Sequence, residues 1–77
     1  MYRTDVDIVT QILEIASNSG GTTKSKIMYG AFLSHTQLKN YLIILTKSDL
    51  LQYDDASNTF TITEEGIRFL KIFNRID

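Results

Sequence analysis

The spacing of apolar residues in this 77-residue chain changes after Asp49 and changes back at Thr63. Before Asp49, apolar side chains recur every three or four positions, the period of helices with one buried face. From Leu51 to Ile62, Leu51, Tyr53, Phe60 and Ile62 alternate with Gln52, Asp54, Thr59 and Thr61. That alternation predicts two strands, each with one buried face. Asp55, Ala56, Ser57 and Asn58 join them with side chains suited to a tight turn. A hairpin held between helical segments is a strong constraint on so short a chain, which has room for one domain near the lower size limit for folding alone. There is no cysteine, hence no disulfide framework and no thiolate metal site, and the single histidine lacks a second ligand for zinc or iron. Proline is absent, so nothing breaks the helices from within.

The first helix is expected from about residue 5 to about residue 17. Thr4 and Asp7 have capping-box spacing, and Asp5 adds negative charge at the helix start. Val6, Val9, Leu13 and Ala16 recur at helical spacing, and Ile8 and Ile12 widen the apolar arc. Asn18, Ser19, Gly20 and Gly21 end it, either glycine being able to take the left-handed conformation that closes a helix. A short second helix, roughly Thr23 to Tyr29, is stopped by Gly30. It turns Ile27 and Met28 inward and leaves Lys24, Ser25 and Lys26 in water. Ala31, Phe32 and Leu33 form an apolar turn.

Ser34 with Gln37 repeats the capping box and opens a third helix over about 35–48. Leu38, Tyr41, Leu42 and Leu45 share one apolar arc at about 100° per residue. Thr36, Lys39, Asn40 and Lys47 fall opposite, with Ile43 among them and Ile44 on their edge. An exposed isoleucine is usually unremarkable, but Ile43 could also touch a thymine methyl or a protein partner. Thr63 caps a last helix, whose Glu64 and Glu65 suit its positive end. That helix has two apolar stripes, Ile67, Leu70 and Phe73 in one and Phe69, Ile72 and Ile76 in the other.

The fold class that follows is α+β: a winged helix-turn-helix, with a three-helix core, a two-stranded β-hairpin wing and a C-terminal helix. One domain is expected over residues 1–77, with the helix-turn-helix at about 23–48, the wing at about 50–63 and the C-terminal helix at about 64–76. Charge is unevenly spread over it. Residues 22–48 hold Lys24, Lys26, Lys39, Lys47 and His35 and no acid, a net of +4, while residues 1–21 carry −2 and residues 49–77 carry −3. A local positive field on a small domain is the footprint of a polyanion, most often nucleic acid. The apolar side of the third helix packs inward, which frees its other side for a major groove about 12 Å wide. His35, Thr36, Lys39 and Asn40 are the expected base readers. Lys24, Lys26, Tyr29, Ser34 and Lys47 are better placed for phosphates, which set register without reading sequence.

The sequence resembles the small archaeal winged-helix DNA-binding proteins, predicted transcriptional regulators of about this size. The resemblance lies in Lys26-Ile27-Met28-Tyr29, in Leu33-Ser34 with Gln37-Leu38 and Tyr41-Leu42, and in Leu45 and Leu50-Leu51. It continues through Thr59-Phe60-Thr61-Ile62-Thr63 to Gly66 and Phe69-Leu70. It implies double-stranded DNA as the partner, bound through the third helix and the wing, and homodimerisation through the last helix. Phe69, Ile72, Phe73 and Ile76 are the candidates for that contact, because an exposed apolar stripe is unfavourable in water. One departure matters: DNA-gripping wings usually carry arginine or lysine at the tip, whereas this one carries Asp54 and Asp55.

The rival expectation is a protein-interaction adaptor with little DNA affinity, since fold does not fix function. Nothing suggests catalysis: Glu64 and Glu65 are adjacent and diverge on a helix, and no nucleophile, base and orienting group come together. No cofactor, metal or membrane is expected. No stretch is apolar enough to span a bilayer and the N-terminus lacks a signal-peptide core, so the expected location is cytoplasmic.

Overall fold

A computed structural model describes residues 3–73. Helices α1 (Asp5–Ser17), α2 (Lys24–Gly30) and α3 (His35–Lys47) precede strands β1 (Leu51–Asp54) and β2 (Thr59–Ile62), and α4 (Glu64–Phe73) closes the chain. This is the α+β order read from the sequence.

The helix starts follow the expected chemistry. Thr4 Oγ1 accepts from Asp7 N at 3.1 Å, and Asp7 Oδ2 accepts from Thr4 N at 3.0 Å. Ser34 and Gln37 make the same reciprocal pair at 3.2 and 3.0 Å. Each box satisfies two N–H groups that the helix itself leaves free.

The helix ends depart from expectation. α1 is capped by Asn18, and neither following glycine closes it. α2 runs through Gly30, and the residue that turns the chain is Phe32, at φ +57°. Leu33 N donates back to Met28 O at 2.9 Å, the Schellman closure in which the reversing residue is usually glycine. α3 closes the same way through Asp49, at φ +61°, with Leu50 N donating to Leu45 O at 2.9 Å. Gly30 serves packing instead: a Cβ there would meet Ile15 Cδ1 at 2.7 Å, so its smallness brings α2 close to α1. The apolar turn is likewise split. Ala31 and Leu33 are buried, while Phe32, turned outward between them, is 77% exposed. Arg3 ties this turn down, its guanidinium donating to the carbonyls of Ala31 and Phe32 and to Gln11 Oε1.

Ile8, Ile12, Leu13 and Ala16 of α1 meet Ile27, Leu38, Leu42, Leu45, Leu51 and Phe60 in one core. A second tie joins α1 to α3: Tyr41 is only half-buried, and its hydroxyl donates to Asp5 Oδ1 at 2.7 Å. That hydrogen bond, then lost solvent and the carboxylate's charge, raises the phenol pKa above its ordinary 10.0, with Arg3 opposing weakly.

The strands pair antiparallel with Leu51 opposite Ile62 and Tyr53 opposite Phe60. Leu51 and Phe60 are buried, but Tyr53, expected inside, is exposed. It lies on the predicted face but toward the tip, beyond the helices. Its ring rests on Phe60 at 4.9 Å and its hydroxyl donates to Asn58 Oδ1. A third chain segment joins the sheet. Thr22 forms an antiparallel bridge with Phe60, Thr22 N donating to Phe60 O at 2.8 Å and Phe60 N to Thr22 O at 2.7 Å. Gly21 makes room for it, since a Cβ at that position would come within 3.0 Å of Thr59 Oγ1.

Thr63 caps α4, accepting from Gly66 N at 3.0 Å and donating to Asp49 O at 2.5 Å. α4 buries neither expected stripe whole. Gly66, Phe69 and Leu70, on the line between the two, face the core, while Ile67, Ile72 and Phe73 are exposed. Ile76 lies outside the described residues. No described helix is long and apolar enough to cross a membrane.

A Cβ at Gly66 would stand 2.4 Å from Leu50 O, a backbone atom that cannot swing aside. Gly66→Ala is therefore expected to lower unfolding free energy by about 2–3 kcal/mol, read from the urea midpoint. The raised folded pKa of Tyr41 means its stabilisation is complete below the ordinary tyrosine value and disappears as pH rises through the raised one. Tyr41→Phe should thus be less stable than wild type at neutral pH, with the gap in urea midpoints closing in strong alkali.

Candidate nucleic-acid interface

Leu38, Leu42 and Leu45 are buried at helical spacing, and this fixes which side of α3 faces out. Thr36, Asn40, Ile43, Ile44 and Lys47 are all exposed on the opposite side, flanked by His35 and Lys39. No acidic residue occurs anywhere on α2 or α3. Among the described residues, the side chains of Lys24, Lys26, His35, Lys39 and Lys47 make no ion pair or hydrogen bond. Their donors remain available for an outside partner.

The hairpin stands beside α3 and encloses with it a cleft of about 1040 Å³. Its helix wall carries Lys24 from α2, His35 and Lys39 from α3, and Asp49 just after α3, and Gln52 and Tyr53 supply the facing strand. Lys24 and His35 meet again in a smaller depression of about 220 Å³ beside Met28. The fold therefore sorts the expected base readers into two groups. His35 and Lys39 line the cleft with Lys24, whereas Thr36 and Asn40 lie outside it, on the outer face with Lys47. Of the expected phosphate contacts, Ser34 spends its hydroxyl on the α3 cap, and Lys26 and Tyr29 stand exposed on α2 outside both hollows. Thr46, which was not among the expected site residues, also lines the cleft, as does Ile43, for which the sequence left open a thymine methyl or a protein partner. Ile43 was visible in the sequence as the one apolar residue within the polar arc.

The wing tip uses one of its two acids internally. Asp54 Oδ1 accepts from Ala56 N at 3.1 Å and Asp54 Oδ2 from Ser57 Oγ at 2.7 Å, and Asn58 takes φ +57° to complete the turn. Asp55 is exposed beside it. The helix side of the cleft thus carries Lys24 and Lys39 toward one end and Asp49 toward the other, and the hairpin that faces it is acidic at the tip. Among the described residues, no group of three or more His, Cys, Asp or Glu side chains comes together to hold a metal ion.

Comparison with curated proteins finds no match. A family model described as winged helix-turn-helix matches residues 2–77, nearly the whole chain. Three helices followed by a hairpin agree with that description, and the chain belongs to the winged helix-turn-helix family.

Proposed function

We propose that this protein binds double-stranded DNA sequence-specifically, as a homodimeric transcriptional regulator of the small archaeal kind it resembles, acting in the cytoplasm. The observation that carries the proposal is the set of unpaired cationic side chains on α2 and α3, opposite the buried leucines of α3. A helix with one side committed to the core and the other basic and open suits the major groove. In this reading the outer face, Thr36 and Asn40, meets base edges, Asn40 pairing two-pronged with adenine. Lys24, His35 and Lys39 grip the sugar–phosphate backbone as it runs along the cleft, with Lys26 and Lys47 adding phosphate contacts and Tyr29 and Ser34 flanking them. Lys39 is long enough to turn from phosphate to a guanine edge.

A few lysines give one protomer only a modest electrostatic term. A second copy doubles it, and exposed Ile72 and Phe73 on α4 give an apolar reason to associate. Two recognition helices would then stand about 34 Å apart, one turn of the duplex. The adaptor reading retains one observation in its favour, the exposed Ile44 on a domain whose wing tip is acidic.

Selection of bound duplexes from a random pool at moderate salt is expected to enrich a pseudo-palindrome; enrichment of nothing removes the regulator reading in favour of the adaptor. On the enriched site, Asn40→Ala should cost roughly 1–3 kcal/mol at one base pair and relax specificity there. Joint alanine substitution of Lys24 and Lys26 should weaken all duplexes alike and reduce the log–log salt slope by about 2. Sizing of the free protein should give a dimer that Ile72→Asp converts to monomer, with the half-site retained and the palindrome advantage lost.

A further inference from the structure

We infer that Ile43 is a specificity-determining residue that reads thymine through its 5-methyl group. The inference rests on the DNA reading above and adds a contact that reading does not use. Ile43 is 44% exposed on a helix face that also carries Thr36, Lys39, Asn40 and Lys47, with Ile44 at its far edge, outside the cleft. The core does not require an apolar residue there, because Leu38, Leu42 and Leu45 already occupy the buried side. One turn on, Thr46 donates its hydroxyl back to Leu42 O at 2.8 Å and to Ile43 O at 3.1 Å, so this neighbour's hydroxyl is committed to the helix backbone. The lip of the cleft at Ile43 and Thr46 thus offers an apolar contact between Lys39 and Asp49.

Its position decides what it meets. Ile43 lines the cleft together with Lys39, and on the helix it follows Asn40 by three residues and precedes Lys47 by four. It therefore stands between the side chains assigned to backbone and those assigned to base edges. In the major groove, the C5 position of a pyrimidine is the part of the base edge nearest its own strand's backbone. Thymine presents a methyl there, and it is the only base that offers an apolar group in that groove. Cytosine presents only a hydrogen at C5, so opposite Ile43 it forgoes the methyl's apolar contact. The half-site is accordingly expected to combine an adenine read by Asn40 with a nearby thymine read by Ile43.

The test uses the full chain and the duplex enriched from the random pool, with each thymine replaced in turn by deoxyuridine, which lacks only the methyl. For wild type, one replacement per half-site should weaken binding roughly fourfold, the factor for one methyl-sized group returned to water. Ile43→Ala should bind the thymine and uracil duplexes equally, and Ile43→Val should keep part of the difference. A wild type that enriches a site yet tolerates every uracil overturns the inference while leaving the DNA reading intact. So does an Ile43→Ala variant that keeps the full uracil penalty. Failure to enrich any duplex overturns both.

Discussion

The rotational setting of α3 governs the rest of the molecule, and three leucines hold it. Leu38, Leu42 and Leu45 are buried against α1, α2 and the base of the hairpin. Turning the helix by one residue, about 100°, would put Lys39 or, in the other sense, Gln37 in the place of Leu38 and expose leucine. Burying an unpaired ammonium costs several kcal/mol, more than the margin of a small domain readily tolerates. The identity of the outward residues is therefore a by-product of packing, and the hydrogen bond from Tyr41 to Asp5 pins the same orientation from the flank.

The second fixed angle is that between the helices and the hairpin. A two-stranded hairpin alone is marginal in water. Here Thr22, at the approach to α2, adds two hydrogen bonds to Phe60, while Thr63 and Gly66 clasp the other end against the loop after α3. The strand pair is gripped at its base from both sides and free at its tip. This is why the cleft has a defined width and why Tyr53, near the free end, is not covered.

Local patterns in the sequence anticipated what they physically determine. Both capping boxes, the leucine arc and the alternation in the strands depend on neighbours within a turn or a strand, and they appear where expected. What escaped are the couplings that cross the chain. The bridge from Thr22 to Phe60 involves one residue with no period around it, and Arg3 reaches carbonyls on the turn after α2. The helix stops misled for another reason: Phe32 and Asp49 take left-handed positions where glycine is the usual choice, at a cost of roughly 1–2 kcal/mol each for an ordinary residue. The split of α4 along Gly66, Phe69 and Leu70 followed from the close approach of the Leu50 carbonyl, invisible until the loop was placed. For the interface, the sequence indicated which side chains face out, but the hairpin's position decides which of them share a cleft.

Asp54 carries a final implication. Its two carboxylate oxygens are occupied in shaping the bend of the hairpin, so this negative charge is architectural. A lineage selecting for a tighter hold on a polyanion could not swap it for a cation without unravelling the bend. Adaptation would have to proceed through other exposed tip positions such as Asp55 and Ala56, or through more copies of the domain. The hairpin's own geometry thereby keeps one negative charge at its tip, whatever cations are added around it.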